Sequence, residues 1–183
     1  MACVLVPLAP GCEELEAVTI IDLLRRAGIK VITAGLAPGL VTASRGTQLM
    51  PDTTLDAALL EDYDMVVLPG GMPGAQHLKD DARVIALVQK MAAAGRYTAA
   101  ICAAPTVLAA AGVLSGKTAT GYPGFLEKMN LNDVTLSTEA VVRDGKVITS
   151  RGPGTAMDFA LSLVEILAGP ETRQQVESAL VRA

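Results

Sequence analysis

A cysteine set between an apolar strand and a helix start can serve as a nucleophile, and Cys102 holds such a place in Ala99-Ala-Ile-Cys-Ala-Ala-Pro-Thr. The strand runs into the helix with no room for a loop, so the turn is a sharp elbow that lifts the side chain out of the sheet. Ala100 and Ala104, two residues to either side, keep that crowded turn small, and Pro105 suits the first turn of the following helix. The N–H groups left free at the helix start, that of Ala103 first, and the positive helix end favour an anion there and lower the thiol pKa. The competing explanation is a buried cysteine used as a small hydrophobe. Cys3 falls inside the first apolar run, a core position. Cys12 lies in a loop with no cation to activate it, which makes it inert or a secondary oxidation site.

Three acids, Glu13, Glu14 and Glu16, open the first amphipathic segment, where acids complement a helix dipole in any case. Spacing separates them. Counting i+4, i+7, i+8 and i+11 from Glu16 meets Ile20, Leu23, Leu24 and Ala27, so Glu16 faces the core. The same count from Glu14 meets Val18, Ile21, Asp22 and Arg25, which places Glu14 nearer solvent. Glu13 also heads an apolar stripe, so periodicity leaves Glu13 and Glu16 tied. A carboxyl on an apolar face has a raised pKa. It can donate a hydrogen bond to a thiolate or carry a proton during catalysis.

Leu68-Pro-Gly-Gly-Met-Pro-Gly follows another apolar run. Gly70 and Gly71 allow backbone N–H groups to point into the strand-end crevice, where two donors would hold an oxyanion beside Cys102. A plain tight turn accounts for the glycines equally well. The segment lacks the Gly-Lys-Ser/Thr ending of a phosphate loop. Ser150-Arg-Gly-Pro-Gly-Thr opens a late helix, with Arg151 expected in a surface or interface ion pair. The one histidine, His77, sits among charged residues and is expected at the surface, so a Cys–His–Asp triad is not available.

These residues need a frame, and the chain supplies one. Apolar runs expected as strands (2–8, 30–36, 63–69, 97–101) alternate with helical segments (14–27, 81–94, 104–111, 153–168, about 171–181). Residues 40–50 are expected as a small hairpin, and Asp144-Gly145 joins two short strands. Alternation of this kind gives βαβ units and a mainly parallel sheet covered on both faces. No linker or repeat divides residues 1–183, which are expected as a single domain. Sites in open α/β sheets lie at the C-terminal strand ends, here loops 9–14, 69–75 and 101–105.

The bulk composition excludes several classes. At 51% hydrophobic and 19% charged the chain is globular. Its net charge of −4, from 15 basic and 19 acidic residues without a Lys/Arg cluster, argues against nucleic-acid and anionic-membrane surfaces. Tyr97–Gly116 carries no charge over 20 residues, but Pro105 and its hydroxyl residues fit a strand followed by a helix better than a membrane span. No signal peptide is evident, and 3 unpatterned cysteines suggest a reducing, cytoplasmic setting without metal-site spacing.

Taken together, five segments resemble the ThiJ/PfpI, or DJ-one-like, superfamily, in the branch of the parkinsonism-associated deglycase and the bacterial chaperone YajL. They are Gly11-Cys-Glu-Glu-Leu-Glu-Ala-Val, Leu23-Leu-Arg-Arg-Ala-Gly-Ile-Lys-Val, Val67-Leu-Pro-Gly-Gly, Ala99-Ala-Ile-Cys-Ala-Ala-Pro-Thr and Thr149-Ser-Arg-Gly-Pro-Gly-Thr. The resemblance implies a flavodoxin-like three-layer sandwich, usually a homodimer. It implies a nucleophile at Cys102, a protonated helix carboxyl bonded to it at Glu16, oxyanion donors at Gly70 and Gly71, and a dimer-side arginine at Arg45 or Arg26. Several members carry a histidine near the cysteine in a Thr-His-Pro context. Here the segment is Thr120-Gly-Tyr-Pro, so Tyr122 stands in that part of the pocket. Tyrosine, with a pKa of about 10, is a poor base at neutral pH, which argues against protease-like activity.

The expected function is cysteine-dependent detoxification of reactive dicarbonyls such as methylglyoxal, or repair of their adducts on protein or nucleotide, with no metal, glutathione or other cofactor. The alternative is a stress-response chaperone in which Cys102 is oxidised to sulfenic and sulfinic acid as a sensor.

Overall fold

The apolar runs of the sequence become neighbouring strands. β1 (Cys3–Leu8) leads into α1 (Glu14–Arg26), and β2 (Lys30–Gly35) returns parallel to β1. β3 (Val41–Thr42) and β4 (Gln48–Leu49) form the hairpin expected at 40–50, apart from the main sheet. β5 (Thr53–Thr54) and the single turn α2 (Leu55–Ala58) follow. β6 (Met65–Leu68) precedes α3 (Gly74–Asp80) and α4 (Ala82–Ala93), and β7 (Tyr97–Ile101) runs into α5 (Pro105–Ala110). β8 (Thr118–Ala119) and β9 (Thr135–Leu136) make a separate parallel pair. β10 (Val141–Asp144) and β11 (Val147–Ser150) form the expected hairpin, with Gly145 at φ +63°. A 3-10 turn, Pro153–Thr155, opens α6 (Ala156–Ala168), and α7 (Pro170–Ala179) follows. This computed structural model describes residues 1–182.

The main sheet has the order β10-β11-β7-β6-β1-β2-β5, parallel throughout except for β10. α1, α6 and α7 pack together as one group, and α3, α4 and α5 as another. The result is the flavodoxin-like three-layer sandwich. Its inner strands are buried on both faces, which is why β6 reads Met-Val-Val-Leu without alternation. Aliphatic side chains fill the interior together with Phe159, which is wholly buried on α6. β1 lies between β2 and β6, so the chain leaves β1 to one side and comes back on the other. Strand-end loops part at such a reversal and open a crevice.

Residues 74–80 form the helix α3 rather than a loop. It buries Ala75 and Leu78 and leaves His77 exposed, so an apolar pair at i, i+3 hides among polar neighbours. The uncharged stretch 97–116 divides into β7, the elbow and α5, and no helix among the described residues is long and apolar enough to cross a membrane.

Candidate active site

Cys102 sits immediately past β7 with φ +64°, in the left-handed region that L residues with a side chain rarely adopt. Its backbone is held on both sides. Its N–H donates to the Ser150 carbonyl at 3.0 Å, and its carbonyl accepts from Tyr122 N–H at 2.8 Å. β11 beside β7 therefore fixes the elbow, and the buried Ser150 that does so was read in the sequence only as helix punctuation. Cys102 is 9% exposed, a more closed position than the elbow suggested.

Glu16 breaks the tie with Glu13. It is 0% exposed, and its Oε2 accepts the Gly70 N–H at 2.8 Å. Glu13 is half-buried and takes the Ser44 hydroxyl at 2.9 Å. The glycine turn seats Glu16 against Cys102. A Cβ on Gly70 would lie 2.6 Å from the Cys102 Cβ and 2.8 Å from Glu16 Oε2, so only glycine fits between them. Gly71, at φ +86°, packs the same turn against the backbone of Cys12 and Glu13. Hydrogen bonds from Glu13 N–H to the Gly70 carbonyl (2.9 Å) and from Gly74 N–H to the Gly11 carbonyl (3.2 Å) join loops 9–14 and 69–75.

Burial is the largest influence on both titrating groups. It raises the Glu16 carboxyl to about 7, against the Gly70 N–H and the Cys102 thiol, with the Glu13 charge adding to the rise. It likewise pushes the Cys102 thiol up to about 12, reinforced by the Glu16 charge and opposed by the N–H groups of Gly71 and Ala103. This corrects the expectation of a thiol acidified by a helix end. α5 has only 6 residues, and desolvation in the closed site outweighs it. The two groups behave as a coupled pair. A proton on Glu16 removes the negative charge that raises the thiol, leaving burial opposed by two N–H donors. Glu16 Oε1 is buried with no hydrogen-bond partner. A bare carboxylate oxygen there is costly, and protonation turns it into a donor for the neighbouring sulfur.

The remaining candidates sort by position. Gly70 N–H is engaged by Glu16, so it is not free for an oxyanion, and Gly71 and Ala103 are the donors that act on the sulfur. Tyr122 is 47% exposed beside the elbow, with its ring edge-on to Phe125 (centroids 6.0 Å apart) and against Gly152. Arg45 is exposed in the β3–β4 hairpin, where its backbone N–H donates to Glu14 at 2.9 Å. Arg26 is ten residues beyond Glu16, at the opposite end of α1, and pairs with Asp22 at 2.6 Å, so it is not at the site. Glu14 is half-buried rather than free in solvent. Burial raises its pKa, but N–H groups of Glu14, Thr47 and Arg45 and the Ser44 hydroxyl carry it down to about 2. His77 is exposed, with Nδ1 2.8 Å from the Pro10 carbonyl. Arg151 makes no ion pair among the described residues and instead donates to the Thr138 carbonyl at 3.2 Å. Cys12 is fully buried and its thiol is raised to about 11 by burial, while Cys3 is only partly buried at the start of β1. The described residues hold no cluster of three His, Cys, Asp or Glu arranged for a metal.

The chain and its fold are matched elsewhere. The DJ-1/PfpI family model covers residues 2–166. The chain belongs to the DJ-1/PfpI family. Protein dj-1beta of Drosophila melanogaster is 48% identical over 180 residues, spanning 98% of this chain and 96% of that one. The glutathione-independent glyoxalase DJR-1.2 of Caenorhabditis elegans is 36% identical over 159 residues, spanning 87% and 84%. The solved structure of oxidized Toxoplasma gondii DJ-1 superposes with a TM-score of 0.94 at 39% identity over 100% of both chains. Family membership agrees with the fold drawn above and with the segments that carried the resemblance.

Proposed function

We propose that this protein detoxifies reactive dicarbonyls without glutathione, using Cys102 as nucleophile and Glu16 as proton carrier. The observation that carries the reading is the buried pair itself. One carboxyl raised to about 7 lies beside a thiol that burial raises to about 12, and the N–H groups of Gly71 and Ala103 oppose that rise. The relative in Caenorhabditis elegans that is named a glutathione-independent glyoxalase supports it.

In this mechanism the Cys102 thiolate adds to the aldehyde carbon of methylglyoxal. The N–H groups of Gly71 and Ala103 hold the developing oxyanion, which takes the Glu16 proton to give a hemithioacetal. The Glu16 carboxylate then removes the proton from the former aldehyde carbon and returns it to the adjacent carbonyl carbon, whose oxygen takes the hemithioacetal hydroxyl proton. The aldehyde carbon is oxidised as its neighbour is reduced, so no external electron carrier enters. Water hydrolyses the resulting thioester to lactate and frees the thiol. Early adducts of the same aldehyde on protein or nucleotide offer the same carbon to attack.

A second reading rests on the same donors. Gly71, Ala103 and a protonated Glu16 would also stabilise a Cys102 sulfinate, formed by successive two-electron oxidations with peroxide, which is reduced to water. The oxidized Toxoplasma relative supports this reading. Turnover of methylglyoxal to lactate in glutathione-free buffer separates the two. Turnover by the wild type that Cys102→Ala abolishes and Glu16→Gln lowers by about a hundredfold or more supports the enzyme. No wild-type turnover, with Cys102 gaining two oxygens under stoichiometric peroxide, supports the sensor.

A further inference from the structure

The starting ends of β7 and β11 face away from Cys102, about 16 Å distant at ~3.3 Å per residue along β7. A crevice of about 530 Å³ opens there, within the size range of small-molecule sites. Ala92, Ala111, Val113 and Val147 give it an apolar floor, and Arg96, Lys117 and Lys146 stand around it. Among the described residues no Asp or Glu lines it. Arg96 and Lys117 pair with Asp64 (2.8 Å) and Asp144 (3.3 Å), acids that stay outside the crevice. Lys146 has no carboxylate within ion-pair distance among the described residues. Its ammonium rests 3.8 Å over the centre of the Tyr97 ring, which holds it in place without neutralising it.

Three glycine turns complete the wall. A Cβ on Gly95 or Gly112 would meet nothing within 4 Å, and one on Gly145 would meet only Lys117 Nζ at 4.0 Å, so backbone and amine lie open to a ligand. The carbonyl ends of α4 and α5 are close by, and cations beside them are partly explained as complements to the helix dipoles. That account does not require an apolar floor, nor the absence of every acid from the lining.

We infer that this crevice is a second ligand site, for a small organic anion with an apolar body and a carboxylate or phosphate head. The head sits at Lys146, between Arg96 and Lys117, and the body lies on Ala92, Val113 and Val147. The inference is independent of the chemistry at Cys102.

The test is an amide NMR titration of the full chain in low-salt buffer with phenyl phosphate, benzoate and inorganic phosphate. The expected result is saturable shifts at Gly95, Gly112 and Gly145 with at least one aromatic anion, while inorganic phosphate binds about tenfold or more weakly for want of the apolar contact. Lys146→Gln, at an exposed position, is expected to weaken the aromatic anion about tenfold, and Ala92→Trp to weaken it by filling the floor. No saturable shift with any probe, affinity unchanged in Lys146→Gln, or inorganic phosphate binding as well as phenyl phosphate would overturn the inference.

Discussion

Glu16 carries a stability cost as well as a chemical role. Its folded pKa of about 7 lies above the ordinary 4.5, so the folded protein binds the extra proton. Stability is then greatest below pH 4.5 as far as this group is concerned, and is lost as pH rises through the window from 4.5 to about 7. At about 1.4 kcal/mol per unit the loss amounts to about 3 kcal/mol. Glu16→Gln keeps an acceptor for the Gly70 N–H and has no charge to bury. Its melting temperature should lack this pH dependence and exceed that of the wild type at pH 8. A wild-type slope preserved in Glu16→Gln would place the effect elsewhere. This carboxyl was half legible in the sequence. The apolar stripe marked Glu16 and Glu13 alike, because a helix period cannot say which of two inward acids meets a backbone donor 54 residues away. For the same reason the sequence offered Gly70 as an oxyanion donor when its N–H is already taken.

The elbow and the glycine turn are elements whose strain can be measured. Cys102 at φ +64° holds a conformation that costs a residue with a Cβ about 1 kcal/mol or more and costs glycine almost nothing. Thermal melts should therefore find Cys102→Gly about 1 kcal/mol more stable than Cys102→Ala, with both inactive. Equal stability would show that the elbow is relaxed. Gly71→Ala, at φ +86° and facing the backbone of Cys12 and Glu13, should destabilise by about 2 kcal/mol and slow the reaction of Cys102, since its N–H moves with the turn. An unchanged Cys102 reactivity in Gly71→Ala would remove that N–H from the account. The elbow was legible because alanines and a proline bracket the cysteine. Helix α3 was not, since Pro73, Gly74 and a charged stretch obscure a single buried i, i+3 pair. Strands of two residues such as β5, β8 and β9 are too short to show any period.

Across the whole molecule, one sheet brings together residues from three distant loops, and a core poor in aromatics must hold it. Phe159 is one of 2 phenylalanines in the chain and is fully buried on α6, which packs against α1, the helix that carries Glu16. Phe159→Ala should cost about 3–5 kcal/mol in urea unfolding. A loss under about 1 kcal/mol would mean that α6 repacks freely. The mainly parallel sheet was implicit in the alternation of apolar and amphipathic segments, while the strand order and the reversal beside β1 depend on pairings between distant segments. What one chain's sequence could not supply was the depth of the site. Periodicity shows which residues face inward, while the desolvation that raises both the thiol and the carboxyl depends on how tightly the loops close.

The central claim is that Glu16 takes the Cys102 proton, and the pH dependence of Cys102 alkylation tests it most directly. Iodoacetamide modification of the Cys102 peptide, followed by mass spectrometry from pH 5 to 10, reads the thiolate whether or not the protein turns over a substrate. With the proton shared, the wild-type rate should rise through a midpoint near 7 and level off above it, the pair then holding a single proton. Glu16→Gln, with no carboxylate to accept the proton, should lose that plateau. A wild-type rate that climbs about tenfold per pH unit across the whole range, as for an isolated thiol raised to about 12, would contradict the claim.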